Sequence, residues 1–503
     1  MIVRRTKESG ALWVVGSVTL CWVLAHGAGV SLDASVLRLL WQPIDSELLR
    51  ENFFQSLLYS HTEPPLFDFF LGAAINWSPL SVGLTFTIGY FILDVVLGLS
   101  VLDAARTIKV PRTGAIVVAV LVACSPAAIL YSHFLFPTFP TTVMLTLSIA
   151  AFARWVRDGR VAAMLVLAGS TLAATMTTAL IHPIWFPIII GLALLARRPV
   201  SRRNWNIVLT GVAIPALLIF GLLLKNQVLF GTSGFSSWFG MNLSRTTVST
   251  VSQDEIRDLI DRGVLDQVAL IPPFLSLDSY PMFEAQCEPN YPDIAVLSQR
   301  RKSNSPTPNF NNECYLPIYA AYQKQALAFI AEDPVAFAGS KLTAAQIMLM
   351  PSSDYPLFLN KNRSKIATYD SLYSTVVLGT FLSPETIYRP EGLGPEFRKH
   401  IPLSLTIAFG FIVTCVAGIW AALRWRRDGV TTTRATLAAI SLLTVFVFAV
   451  GTAFEIGENE RFRYMVEPIM FVLLARVATE LLNRYRSRQP KTHPLPIPET
   501  VPG

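Results

Sequence analysis

Long apolar runs separated by short arginine-rich breaks recur along almost the whole chain, and no water-soluble core has room for so many of them. A helix of about 17 to 25 apolar residues is what crossing roughly 30 Å of hydrocarbon requires. Ten such spans are read, at about 11–31, 80–104, 114–131, 139–156, 161–181, 184–196, 206–225, 401–423, 435–454 and 464–482. Six breaks fall on one side of that alternation. They hold Arg4, Arg5 and Lys7, then Arg106, Lys109 and Arg112, then Arg154, Arg157 and Arg160, then Arg197, Arg198, Arg202 and Arg203. Arg424, Arg426, Arg427 and Arg434 follow, and last Arg484, Arg486, Arg488 and Lys491. Short loops rich in Lys and Arg stay cytoplasmic, so a multi-pass protein of the plasma (cell) membrane with both termini in the cytoplasm is expected.

The charge balance agrees. Only 15% of residues are charged and 52% are hydrophobic, whereas a soluble chain carries about 25% charged residues. The formal charge of +7 sits in the breaks, where it orients helices, so no nucleic-acid partner is expected. The first span resembles a signal peptide in its basic flank, but its apolar stretch outruns the usual h-region of about 7 to 15 residues and is read as an uncleaved helix.

The fold expected is an all-α polytopic membrane protein of about ten transmembrane helices with an extracytoplasmic domain that is mostly helical or irregular. Its parts are an N-terminal transmembrane module at 1–225 with a first outer loop at 32–79, an extracytoplasmic domain at 226–400, C-terminal helices at 401–482 and a disordered cytoplasmic tail at 483–503. Within the outer domain, 253–261 and 319–330 have helical spacing and 286–312 reads as loop. The stretches 335–350 and 372–382 are expected to lie on the membrane surface. Cys287 and Cys314 are the only cysteines of that domain. In an oxidising compartment they are free to pair; the alternative is two unrelated thiols.

The first outer loop concentrates acidic groups. Asp45 precedes a short helix on which Glu47 and Glu51 share a face, and Tyr59-Ser60-His61-Thr62-Glu63-Pro64-Pro65 leads rigidly into an apolar segment. Asp45 is either a helix N-cap or a reactive carboxylate. On the outer side Lys225, Arg461 and Arg463 run against the inside bias of basic residues, and either anchor helix ends at the interface or meet an anion. His182, before Pro183, stands at an outer bend as a cap or a ligand contact. His26 and Asp94 lie inside apolar runs, where an ionisable group needs a partner.

Three of these segments carry a resemblance. An acidic residue soon after the first span followed by Glu63-Pro64-Pro65-Leu66, the opening Lys225-Asn226 with Phe230-Gly231 and Ser236-Ser237-Trp238-Phe239-Gly240, and Glu458-Asn459-Glu460-Arg461-Phe462-Arg463-Tyr464 before Glu467-Pro468 resemble the GT-C glycosyltransferases. These are multi-span enzymes such as protein O-mannosyltransferases and bacterial aminoarabinose transferase-like proteins. The chain departs from that pattern in having no acidic residue at 132–137 and Asp45-Ser46-Glu47 in place of an adjacent acidic pair.

The resemblance implies transfer of a sugar from a polyprenyl-phosphate donor to an extracytoplasmic glycan, lipid or protein acceptor. It makes Asp45, then Glu47, the catalytic base. It gives His61, Glu63 and His182 to substrate binding, and Lys225, Arg461 and Arg463 to the leaving phosphate. No metal-ligand motif is present in the sequence, and dependence on a divalent ion is left open. A transporter or lipid flippase is the alternative, favoured by Asp94 but not by any internal repeat. A non-catalytic envelope scaffold is a third.

Overall fold

The computed structural model describes residues 2–199, 201–386 and 400–488, with side chains left undescribed at 2–9, 383–386, 400, 401 and 488. Six helices are long and apolar enough to cross a membrane: Gly10–Gly27, Val82–Thr107, Thr138–Asp158, Arg202–Phe230, Leu405–Asp428 and Thr432–Phe454. Arg112–Ala123 and Pro126–Ser132 pass the same test as a pair bent by 49°, giving a seventh. The bend follows from Ser125-Pro126, where Pro126 has no N–H to continue the ladder and Ser125 caps the new helix through Ala128 N at 3.0 Å.

Ten full spans are therefore not found among the described residues. Val161–Thr177 and Trp185–Ala196 form apolar helices of 17 and 12 residues, shorter than the expected spans because His182-Pro183 breaks the chain between them. Most of the last expected span, 464–482, lies within Glu467–Arg488, which carries Arg476, Glu480 and Arg484. That helix also takes up residues 483–488 of the expected tail. Residues 489–503, with Lys491, lie outside the described residues, as do the side chains of Arg4, Arg5 and Lys7.

Three of the arginine breaks, at 106–112, 154–160 and 197–203, meet at one end of the helices. Arg154 Nε reaches Asp103 at 2.7 Å, Arg157 donates to Thr107 Oγ1 at 2.9 Å, Arg197 donates to the Arg157 carbonyl at 2.8 Å and Arg476 to the Lys109 carbonyl at 3.3 Å. Thr138–Asp158 is the central helix, with 78% of its most apolar window buried, whereas Arg202–Phe230 has 17% and lies at the edge. Leu209, Ile214, Leu217, Phe220 and Val228 on that edge helix are exposed, as side chains facing lipid would be. Asp94 accepts from Trp22 Nε1 at 2.7 Å, a single bond that packs the first helix against Val82–Thr107.

At the other end stand the first outer loop and the outer domain. The expected helix at 253–261 is present as Gln253–Asp261, and that at 319–330 is extended to Tyr315–Glu332. Pro334–Met348 and Asn360–Val376 are helices, with Val335, Leu342, Leu372 and Val376 exposed. The domain has its own aromatic core of Trp238, Phe274, Tyr280, Phe310, Tyr315, Tyr319 and Tyr322. Cys287 and Cys314 form a disulfide at its margin, with Cα atoms 5.6 Å apart. One departure from an all-α chain is an antiparallel hairpin of Thr380–Thr386 and His400–Ser404. The second strand continues directly into the Leu405–Asp428 helix.

Candidate functional site: a cavity at the outer end of the bundle

Buried hydrogen bonds fix the first outer loop. Lys302 of the outer domain reaches in to donate to the carbonyls of Leu40 and Pro43, the latter at 2.6 Å. The Asp68 carboxylate accepts from Ile44 N at 3.0 Å. Together they lock Trp41 and Gln42 between two tied positions. Farther along, His61 Nδ1 meets Ser237 Oγ at 2.6 Å and its Nε2 meets the Asn311 carbonyl at 3.0 Å. Burial pushes the imidazole down to about 3, so it stays neutral and works as a staple. Lys225 Nζ donates to the Ser60 carbonyl at 2.6 Å. With 60–62 held, the Pro64-Pro65 corner leaves Glu63 facing the interior.

The facing wall is the turn after Thr432–Phe454. Gly457 takes φ +107, a conformation that a Cβ disfavours. Asn459, fully buried, donates to the Gly451 and Glu455 carbonyls at 3.0 Å each, closing the helix end. This tight turn projects Glu455 and Glu458. Arg245 pairs with Glu455 at 2.9 Å, and Arg461 pairs with Glu458. Arg461 also lies 4.8 Å from the ring centroid of Phe136 and 4.6 Å from that of Phe462. The Nε atoms of Arg245 and Arg461 have no hydrogen-bond partner among the described residues.

Between these walls lies a cavity of about 590 Å³, within the range of a small-molecule site. Trp41, Gln42 and Glu63 line it from the first loop, and Thr178 to Leu180 with His182 to Ile184 line it from the break between two short helices. Trp238, Asn242 and Arg245 come from the opening of the outer domain, and Phe446, Val450 and Phe454 from the apolar helix below Glu455, Glu458 and Arg461. It joins an apolar side, on the spanning-length helix Thr432–Phe454, to a charged head. Glu63 accepts from Ala179 N at 3.2 Å. Its carboxyl is raised to about 7 by burial, with the Arg461 charge opposing. Burial likewise raises Glu455, against the pull of Arg245.

Of the candidate catalytic and substrate-binding residues named from sequence, Glu63, His182 and Arg461 line this cavity and Asp45, Glu47, His61, Lys225 and Arg463 do not. Asp45 caps the Ser46–Glu51 helix through Glu47 N and accepts from Ser303 N at 2.7 Å, so of its two readings the geometry is that of the cap. Glu47 is exposed in an ion pair with Arg50 at 2.9 Å. His61 and Lys225 stand behind the wall in the bonds already given.

Arg463 is fully buried between Glu467 at 2.6 Å, the Met350 carbonyl at 2.6 Å and Ser352 Oγ at 2.7 Å, with no face toward a ligand. Arg245, Glu455 and Glu458 complete the charged head. The sequence signal for them was an acidic pair directly after an apolar run, and an outer-side arginine. No group of three or more His, Cys, Asp and Glu side chains is placed to hold a metal ion among the described residues.

No protein-family model matches the chain, and no curated protein matches it by sequence. Among solved structures it is similar to the oligosaccharyltransferase of Archaeoglobus fulgidus. In its apo form that protein overlays 94% of this chain at 12% identity with a TM-score of 0.40. The form tethered to an acceptor peptide overlays 95% with a TM-score of 0.38. The form described as the archaeal oligosaccharyltransferase AglB, in complex with an inhibitory peptide and a dolichol-phosphate, has a TM-score of 0.37. The chain spans about half, 51%, of the length of that protein. The overlap is loose and by itself assigns neither fold nor function.

Proposed function

We propose that the protein is an integral membrane glycosyltransferase of the GT-C type, moving a sugar from a polyprenyl-phosphate donor to an extracytoplasmic acceptor. The observation that carries this reading is the juxtaposition in one cavity of a half-buried carboxyl at Glu63, the guanidiniums of Arg245 and Arg461, and the apolar flank of Thr432–Phe454. A lipid-borne phosphate asks for that combination: apolar surface for the prenyl chain and cations just outside the hydrocarbon for the phosphate.

Glu63 takes the proton of the acceptor hydroxyl as its oxygen attacks the anomeric carbon. The bond from that carbon to the phosphate oxygen breaks, and Arg461 and Arg245 meet the charge left on the polyprenyl phosphate. A carboxyl near 7 is close to the working pH, where a general base combines the right protonation state with driving force. Glu63 thus replaces Asp45 as first choice for the base. On this reading the domain from 226 to 400 lies outside the cell membrane and both termini lie inside.

The test is incubation of the purified chain with a panel of labelled polyprenyl-phosphate sugars. Transfer of label out of the lipid fraction, or its release to water, supports the reading. A panel in which every donor stays intact removes it.

A further inference from the structure

Trp41 is a large apolar ring that the fold holds open. It lines the cavity with 39% of its surface exposed, although the carbonyls of Leu40 and Pro43 on either side of it are clamped by Lys302. One of its faces is stacked on Phe274, with centroids 5.2 Å apart and planes 13° from parallel, and Phe310 abuts it edge-on at 5.7 Å. Trp238, 4% exposed, braces Phe274 from the side at 5.6 Å. The indole is therefore fixed in orientation, backed by Phe274 and Phe310, and keeps 39% of its surface exposed.

The same cavity is lined by the uncharged Gln42, Asn242, Gln323 and Ser236, and by Arg245, which lies 5.9 Å from the Phe274 ring with its charge paired to Glu455; the Ser236 hydroxyl is buried without a partner among the described residues. Primary amides offer both donor and acceptor atoms, as hydroxyls do. An indole face, negative in its quadrupole, attracts the weakly positive C–H face of a pyranose ring.

We infer that Trp41 is the platform of a saccharide subsite and that the acceptor is a neutral glycan, stacked on the indole and hydrogen-bonded by Gln42, Asn242 and Gln323. This rests on the glycosyl-transfer reading for the word acceptor, but the binding itself needs no turnover. A lipid acceptor would leave these amides unpaired in an apolar contact, which costs affinity.

The experiment is binding of the full chain, in detergent, to an array of short neutral oligosaccharides, with polyprenyl-phosphate sugars as a separate arm. Retention of a free oligosaccharide by the wild type is expected. Trp41→Ala should weaken it about tenfold, the loss of one aromatic contact of roughly 1.4 kcal/mol. Trp41→Phe should lie between, and Gln323→Ala, at an exposed position of Tyr315–Glu332, should give a smaller loss without disturbing the fold. The inference is overturned if no free oligosaccharide is retained, if only the lipid-phosphate sugars are, or if Trp41→Ala and Gln323→Ala both bind like the wild type. Glycan retention without any transfer would instead defeat the transferase reading alone.

Discussion

Arg461 and Arg463 are two positions apart on one short helix, yet their surroundings give them different parts. Arg463 is fully buried in an ion pair with Glu467, so Arg463→Ala strands a carboxylate in the interior and should destabilise the fold by about 3 to 5 kcal/mol. Arg461→Ala should keep more of the fold and lose donor binding and turnover together. Thermal melting and transfer assays on both variants separate the two; equal effects on both measurements would contradict the division. Asp45→Asn should lower stability by less than about 1 kcal/mol, because it keeps a capping oxygen, and leave turnover near normal. Turnover lost in a folded Asp45→Asn protein would return the base to Asp45. Sequence alone picked out Glu63 and Arg461 through their outer position. It could not tell them from Asp45 and Arg463, because the deciding long-range partners, Ser303 N for Asp45 and the Met350 carbonyl and Ser352 for Arg463, depend on how the elements meet.

At the scale of elements, the long helices were legible because hydropathy and arginine breaks mark both ends, as at Val82–Thr107 and Arg202–Phe230. The bend at Ser125-Pro126 and the two short helices around His182-Pro183 were less so, since an apolar stretch gives no measure of how much of it stays in one straight helix. The approach of Phe239–Arg245 to Tyr315–Glu332 was invisible in sequence. It depends on Gly240, where an added Cβ would collide with the Tyr319 carbonyl and crowd the Gln323 N–H at 2.7 Å. Gly240→Ala should therefore part these helices and lower stability by about 1 to 3 kcal/mol. Since they carry Asn242, Arg245 and Gln323 into the cavity, turnover should fall as well. A Gly240→Ala protein with unchanged melting would show that the two helices are not in such contact.

For the whole molecule, the three arginine breaks that meet at one end and the cavity at the other give it a polarity that a membrane would impose. A reporter active only outside the cytoplasm should work when fused at Ser303 and fail at Ser487. Cytoplasmic activity at Ser303 would reverse the orientation and place the cavity on the wrong side for an extracytoplasmic acceptor.

The central claim, sugar transfer with Glu63 as base, is tested most directly by the pH profile of transfer from a labelled polyprenyl-phosphate sugar, for wild type and Glu63→Gln. The base acts deprotonated, so wild-type transfer should rise with pH through about 7 and then level, following the carboxyl that burial raises. The same raised value makes folding stability fall as pH climbs from the ordinary glutamate range through about 7. Melting recorded alongside keeps the two trends apart. Glu63→Gln should fold, lose the share of that slope due to Glu63 while Asp68, Glu455 and Glu460 keep theirs, and transfer at least about 10² times more slowly than the wild-type plateau, without the rise through pH 7. A Glu63→Gln protein that transfers at the wild-type rate, with the same rise through neutral pH, would contradict the account.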